Sequence, residues 1–139
     1  MRFVVDAPNG KTWFRLETES EAAEESQLMH HAVEKHFRLE REKAIQTYQP
    51  ASKSFIEQDI GLNAHIQREM PLFVTLRDQN GQAHVTAMLP PGGKGNGRIV
   101  IVGPGNADPY PADGDAIKAL ADHFGLSLER DRCYPYQRG

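Results

Sequence analysis

Alternating apolar and polar positions predict two β-hairpins, one at the start and one in the middle of the chain. Each hairpin consists of two β-rich runs around an Asn-Gly pair: residues 2–6 and 11–17 around Asn9-Gly10, and residues 72–77 and 83–89 around Asn80-Gly81. Asn-Gly between such runs is a strong short-range hairpin signal, because both residues tolerate the positive φ of a tight turn. These four runs therefore supply most of a predicted antiparallel sheet.

One long helix is predicted between the two hairpins. Thr18 and Glu21 have the spacing of a capping box, in which a side chain and a backbone amide satisfy each other at a helix start. Residues 19–48 contain neither Gly nor Pro, and Pro50 then ends the run. Acidic residues crowd the first turns and basic residues the second half, which complements the helix dipole.

The segment that follows, residues 51–70, has a less regular pattern. Ser52 or Ser54 is a possible cap for a short helix that ends at Gly61, and a further turn or two of helix can follow before Pro71. The segment is therefore predicted to be helical but interrupted.

The last third of the chain predicts one strand, one helix and a final short strand. Residues 99–102 are apolar on both faces, as in a strand that is covered on both sides. A Gly-rich loop precedes this strand, and a loop over residues 103–114 follows it. A helix capped by Asp113 or Asp115 then ends at Gly125, and residues 126–128 form the last strand.

Strands and helices are segregated along the chain, which indicates the α+β class. We expect a mainly antiparallel sheet of about five or six strands, one long helix in the N-terminal half and a shorter C-terminal helix. With 139 residues and no visible repeat or linker, the chain is expected to form a single domain over residues 1–139.

Composition and charge exclude several classes of protein. Hydrophobic residues make up 39% and charged residues 25%, with a net charge of −3, so the chain is neither disordered nor a general binder of nucleic acid. No apolar run approaches the ~20 residues of a membrane helix, and the first residues lack a signal peptide. The single cysteine excludes an internal disulfide framework. We therefore expect a cytoplasmic protein without a membrane partner.

The length of the predicted helix suggests a homodimer. Thirty helical residues would span about 45 Å, whereas strands of five or six residues cover only about 17–20 Å. The overhanging half would still carry Phe37, Leu39 and Ile45, which need cover. Either residues 51–70 or a second copy of the chain can supply it, and we favour the second copy because Val100 and Val102 also require cover.

Candidate acid–base groups come from the same helix and from one strand. On a helical wheel, His36 and Glu40 fall in the apolar arc of Met29, Val33 and Phe37. Buried polar groups must be paired, so the two either form a structural network with Arg77 or Tyr48 or act as an acid–base pair. With His84 from a strand, they define the alternative hypothesis of a small enzyme with a pocket between helix and sheet.

Two loops are the candidate ligand-binding site. Residues 90–98 combine bare glycine backbone with Lys94 and Arg98, which suits an anion, although the Gly-Lys-Ser/Thr ending and following helix of a P-loop are missing. The loop after residues 99–102 offers Asn106, Asp108 and Tyr110. The preferred function is therefore a ligand- or protein-binding module without catalysis, whose surface lies where the two loops meet, with His84 as a possible neighbour.

No cofactor or metal site is predicted. His30 and Glu34 have helical i,i+4 spacing, but no HExxH or di-iron pattern accompanies them. Cys133 follows Arg132, which could lower the thiol pKa. Arg132, Tyr134, Tyr136 and Arg138 alternate charge and aromatic character, as in grooves for single-stranded nucleic acid. With Lys94 and Arg98, this tail supports a third, weaker hypothesis of nucleic-acid binding.

Overall fold

The computed structural model of the chain describes residues 1–49 and 55–137, and for residues 55–59 the backbone alone. It is α+β with a five-stranded antiparallel sheet, as the sequence predicted. The described residues form four α-helices, which differ from the predicted set of helices as set out below. The strands are β1 (Arg2–Asp6), β2 (Thr12–Arg15), β3 (Leu72–Arg77), β4 (Ala83–Leu89) and β5 (Val100–Val102). The helices are α1 (Glu19–Met29), α2 (Val33–Gln46), α3 (Phe55–Glu69) and α4 (Tyr110–Phe124).

The sheet is a simple meander in which the strands lie in chain order, β1-β2-β3-β4-β5. Each neighbouring pair is antiparallel, and a bulge between Phe3 and Val5 interrupts the β1–β2 pairing. The outer edge of β5 is covered by the C-terminal segment, since the Tyr134 amide donates to the Ile99 carbonyl at 2.9 Å. Among the described residues, the outer edge of β1 has no such cover.

Successive side chains of a strand point to opposite sides, so the sheet has two apolar faces that need cover. Helices pack on both of them. On one face, α4 packs on an apolar cluster, and the Trp13 indole N–H donates to the Ala116 carbonyl at 2.8 Å. The members of this cluster in the sheet are Trp13, Leu72, Val74, Leu76, Val85, Ala87, Leu89 and Ile101. On the other face, α1, α2 and α3 enclose a second cluster that includes Leu16, Phe37, Ile66 and Phe73.

The predicted single helix over residues 19–48 is wrong, because the chain breaks into α1 and α2. His30 adopts the left-handed conformation with φ of 54° and ends α1. The Ser26 hydroxyl accepts hydrogen bonds from the amides of Val33 and Glu34, at 3.0 and 2.9 Å, and so caps the start of α2 from the side. Two helices that pack on each other bury Phe37 within the chain, which removes the overhanging rod that suggested a homodimer.

Three other boundaries differ from the prediction. The described part of segment 51–70 is one helix that continues through Gly61, where a side chain would collide with the Tyr48 hydroxyl. The proposed caps Ser52 and Ser54 lie outside the described residues. Helix α4 begins at Tyr110, before either expected cap. Residues 126–128 form no strand; Leu128 instead packs into the core beneath α4.

None of the helices in residues 1–49 and 55–137 combines the length and the apolar composition that crossing a membrane requires.

We expect Ser26→Ala to destabilise the fold by about 1 kcal/mol, because it removes the acceptor that the amides of Val33 and Glu34 share. The Val33 amide keeps the His31 carbonyl at 3.0 Å, so the Glu34 amide is the one that loses its partner. For a chain of this size this corresponds to a fall in melting temperature of about 3 °C. The matched control is Ser20→Ala, which changes an exposed serine of α1. Thermal unfolding followed by circular dichroism measures both, and equal melting temperatures for the two variants would contradict the capping role.

Candidate functional site

A fully buried carboxylate lies between α1 and the sheet. Glu25 is 0% exposed. One carboxylate oxygen accepts from Nη2 of Arg77 at 2.6 Å, and the other accepts from the Thr86 hydroxyl at 2.5 Å. Arg77 and Thr86 belong to β3 and β4, so this one side chain ties the first helix to two central strands.

Arg77 uses its remaining donors within the same buried region. Its Nε donates to the Thr75 hydroxyl at 3.0 Å and its Nη1 to the Gly81 carbonyl at 3.3 Å. Among the described residues, no buried side-chain nitrogen or oxygen lacks a hydrogen-bond partner. The charges are therefore compensated, as a buried ion pair requires if it is not to destabilise the fold.

His31 extends this network from the buried carboxylate to the surface. Its Nε2 lies 3.2 Å from the Thr86 hydroxyl and its Nδ1 lies 3.1 Å from Oδ1 of Asn106. Because the Thr86 proton is donated to Glu25, the Thr86 oxygen accepts from His31, and the ring carries its proton on Nε2. We name Glu25, Arg77, Thr86, His31 and Asn106 the buried polar network.

The hydrogen bond between His31 and Asn106 can serve both protonation states of the ring. A protonated ring donates from Nδ1 to the amide oxygen, whereas a neutral ring accepts at Nδ1 from the amide nitrogen after a half-turn of the Asn106 side chain. Burial lowers the pKa of His31, although the Asn106 contact and the charge of Glu25 both act to raise it. Burial thus outweighs the two favourable neighbours, and the neutral ring is the favoured form in the fold.

A second feature is an open cleft of about 450 Å³ between the β4–β5 loop and the end of α4. We name it the Gly-rich cleft. Its lining comprises Gly93, Lys94, Gly95, Asn96, Gly97, Ile99, Phe124, Gly125, Leu126, Ser127 and Arg132. The lining contains two cationic side chains and no acidic one. The carboxylate of Glu129 lies 3.8 Å from Nε of Arg132, but both side chains are largely exposed.

The shape of this cleft depends on the close approach of Gly93 to Phe124. Gly93 is buried with φ of 67°, and a side chain there would overlap the Phe124 ring. Only glycine fits this position, both for its left-handed backbone and for the ring that lies against it. The loop is thus packed against α4 on one side, while Lys94 next to it is exposed.

Arg98 lies outside the lining of the cleft and stacks on the Tyr134 ring, with its guanidinium carbon 4.2 Å from the ring centroid. The same pairing recurs between Arg130 and Tyr136 at 4.5 Å. Both tyrosines of the alternation that suggested nucleic-acid binding are therefore covered by arginines of the chain itself, whereas Arg132 of that pattern lines the Gly-rich cleft. Arg138, the last residue of that pattern, lies outside the described residues.

The structure separates the two loops that were expected to meet. They leave opposite ends of β5, since the β4–β5 loop leads into Val100 while the following loop leaves from Val102, opposite Thr86. Asn106 contributes to the buried polar network, whereas Asp108 pairs with Arg130 at 2.7 Å and accepts from the Tyr110 amide. Despite partial burial, these contacts lower the pKa of Asp108.

Cys133 lies in the interior, and Tyr110 is half-buried. The Tyr110 hydroxyl donates to the Leu128 carbonyl at 2.8 Å. Burial raises the Tyr110 pKa well above its ordinary value. Cys133 is 0% exposed and burial raises its pKa as well, so the lowering expected from Arg132 does not occur. A buried thiol that favours its neutral form is a poor nucleophile.

The predicted acid–base candidates do not converge. His36 is exposed on α2, and the expectation that it lies in the apolar stripe is wrong. Glu40 pairs with Lys43 at 3.4 Å. His84 bonds Asp78 at 2.8 Å, and this contact lowers the Asp78 pKa. Neither histidine lines either of the two cavities described in this chain.

The sequence did not indicate Glu25, His31 or Thr86 as site residues. It also suggested that Arg77 pairs with His36 and Glu40, which lie on α2, whereas Arg77 pairs with Glu25 on α1. A signal for Glu25 exists, because it shares one helical face with Ala22 and Met29, which are both buried. Arg77 likewise continues the face of Phe73 and Thr75 along β3. Two opposite charges on two apolar faces, one in a helix and one in a strand, predict a buried ion pair.

Neither a metal-binding arrangement of side chains nor a similarity to known proteins assigns a chemistry to this chain. In the part of the chain that the structure describes, no three His, Cys, Asp or Glu side chains are arranged to hold a metal ion. Comparison with protein-family models, curated proteins and solved structures found no match to this chain.

The buried polar network makes stability depend on pH through His31. Its pKa in the fold lies below the unfolded value of 6.5. The unfolded chain therefore binds more protons, and the free energy of unfolding falls as the pH drops below about 6.5. Urea unfolding between about pH 7.5 and pH 5.5 measures this slope. We expect His31→Gln to reduce it, and the exposed control His36→Gln to preserve it.

Carboxylates titrate mainly below this pH window, and the His84–Asp78 pair is present in every variant, so both cancel in the comparison. Parallel pH profiles for wild type and His31→Gln would contradict the proposed burial of a neutral ring.

Proposed function

We propose that the chain is a ligand-binding module that holds a small organic anion in the Gly-rich cleft. The observation that carries the proposal is the charge of this cleft, in which Lys94 and Arg132 face an opening without acidic side chains in its lining. Within the described residues the Lys94 ammonium makes no ion pair or hydrogen bond, so it is available to a ligand. An excess of one sign of charge in a concave site concentrates ligands of the opposite sign.

The backbone of the loop adds further support. The amides of Gly93 and Lys94 donate to the carbonyls of Pro90 and Pro91, but the amides of residues 95–97 make no backbone hydrogen bond among the described residues. Gly95 has φ of 90°, and turns with such left-handed residues can direct free amides toward an anion. The floor is apolar, with Ile99, Phe124 and Leu126 in the lining. A ligand that combines a phosphate or carboxylate group with an apolar or aromatic part would use both properties of the cleft.

The two alternative functions find less support. Acid–base catalysis would require His36, Glu40 or His84 in a pocket, and none of the three lines a described cavity. Binding of nucleic acid would use Lys94, Arg98 and the tail, but Arg98 and Arg130 stack on tyrosines of the chain itself. We therefore retain ligand binding, in the cytoplasm, as the proposed role.

We also propose that the chain forms a homodimer. The support comes from the exposed edge of β1, because the long helix that first suggested a dimer does not form. Phe3 is 58% and Met1 48% exposed beside a strand edge that is uncovered among the described residues. An antiparallel pair of β1 strands centred on Val4 would place Arg2 of each copy opposite Asp6 of the other. The bulge beside Phe3 works against pairing, as bulges at sheet edges do, so the contact would be short.

Phenyl phosphate is a suitable probe of the Gly-rich cleft because it joins an anion to an aromatic ring. We expect saturable binding by NMR titration, with shifts at the amides of residues 93–97, and weaker binding as salt rises. Lys94→Gln and Arg132→Gln should each weaken binding about fivefold, the upper range for an exposed charge pair. Lys118→Gln, an exposed lysine of α4, is the matched control.

Phenol, which lacks the charge, should bind much more weakly than phenyl phosphate. Absence of saturable binding, or equal affinity in the wild type and both cleft variants, would overturn the proposed function.

Size-exclusion chromatography with light scattering tests the homodimer. We expect a mass of twice 15.6 kDa for the wild type and of one chain for Phe3→Glu. Leu39→Glu changes an exposed apolar residue of α2 and should leave the mass unchanged. A wild-type monomer at micromolar concentration would rule out the dimer.

A further inference from the structure

A second, smaller cavity lies on the other face of the sheet. Its volume is about 120 Å³, and it opens between the end of β2, helices α2 and α3, and the start of β3. Leu16, Phe37, Ile66 and Met70 are buried core residues that line it. Arg15 and Arg41 line it as well, so two cationic groups share a small space whose accessible surface is mostly polar.

Both guanidinium groups have donors to spare. A guanidinium carries five N–H donors and no acceptor. Arg15 makes one long hydrogen bond, from Nη2 to the Gln67 carbonyl at 3.4 Å. Arg41 makes no ion pair or hydrogen bond with any residue that the structure describes. Arg38, Arg77 and Arg130, in contrast, each bind a carboxylate.

The electrostatic surroundings of Arg15 favour a bound anion. Burial lowers the Arg15 pKa, and the like charge of Arg2 lowers it further, whereas Glu17 acts to raise it. Glu17 is the one acidic residue in the lining, and its carboxylate is paired with Arg2 at 3.2 Å. The positive charge of Arg15 is partly desolvated, and the charges around it do not fully compensate it. A bound anion beside Arg15 would therefore stabilise the charged guanidinium.

The size of the cavity limits the part of the ligand that lies beyond its charged group. Apolar cavities of about 150 Å³ accommodate benzene, so a slightly smaller one holds a chain of a few carbons. A planar carboxylate matches the fork of guanidinium N–H groups better than a spherical ion does. An inorganic anion would leave more of the volume of about 120 Å³ unfilled than an anion with a short carbon chain.

We propose that the cavity between Arg15 and Arg41 binds a small monocarboxylate, whose charge lies on the two guanidinium groups and whose short alkyl chain fills the remaining space between α2 and α3. This site is separate from the Gly-rich cleft and does not depend on the function proposed for that cleft. It lies on the opposite face of the sheet, between α2 and α3.

Butyrate is the probe, and butyramide is the uncharged control of nearly the same shape. NMR titration of the full chain, with the Met70 methyl group and the Gln67 amide as reporters, should show saturable binding of butyrate in the millimolar range. Butyramide should bind at least about tenfold more weakly, because it lacks the charge that the two arginines recognise. Arg41→Gln and Arg15→Gln should each weaken butyrate binding about tenfold. Arg68→Gln, which changes an exposed arginine of α3 outside the cavity, should leave it unchanged.

Several outcomes would overturn the proposal. These are the absence of saturable butyrate binding, equal binding of butyrate and butyramide, or equal affinity in Arg41→Gln and Arg68→Gln. The comparison of the two probes uses wild-type protein alone, so it decides the question even if a variant fails to fold. Chemical-shift changes at residues 93–97 without a change at Met70 would show that butyrate binds in the Gly-rich cleft, and they would refute this site. Failure of phenyl phosphate to bind would refute only the cleft.

Discussion

The ion pair between Glu25 and Arg77 is the constraint on which the arrangement of the N-terminal half depends. A carboxylate that is 0% exposed and a guanidinium that is 6% exposed meet at 2.6 Å between α1 and the sheet. Two buried charges stabilise a fold only when each finds the other, because either one alone carries a large desolvation cost. Helix α1 must therefore lie where Glu25 reaches both Arg77 and Thr86, which sets its position along the sheet.

The break between α1 and α2 fits this constraint. Where the chain leaves α1, His31 reaches Thr86, and Ser26 caps the first turn of α2. Helix α2 then folds back against α1, so Phe37 packs on Phe73 with ring centroids 5.3 Å apart. The small cavity beside Arg15 and Arg41 lies below this packing, between α2 and α3. The Gly-rich cleft, in contrast, is formed by the β4–β5 loop and the end of α4.

Local patterns in the sequence predict the strands well and the buried polar contacts poorly. The first four strands and both hairpins follow from alternation and Asn-Gly pairs, and β5 follows from a run that is apolar on both faces. These are properties of neighbouring residues, although the same reasoning also predicted a strand at residues 126–128 that does not form. The break after Met29 was missed because residues 19–48 contain no Gly or Pro, and the left-handed His30 is stabilised by contacts of its neighbours with the rest of the fold. Lys94 was correctly placed in a glycine-rich loop, but the apolar floor under it comes from Phe124 and Leu126, far away in the chain. Arg15 and Arg41 share a cavity only after three elements have packed, so no local pattern indicates them.

A double-mutant cycle on Glu25 and Arg77 tests the central claim most directly. The variants Glu25→Leu, Arg77→Met and their combination are compared by urea unfolding. The account predicts that each single change costs about 3–5 kcal/mol, because it leaves one buried charge unpaired. The double variant should lose far less than the sum, which corresponds to a coupling of at least about 2 kcal/mol. Single changes that each cost under about 1 kcal/mol and add without coupling would contradict it.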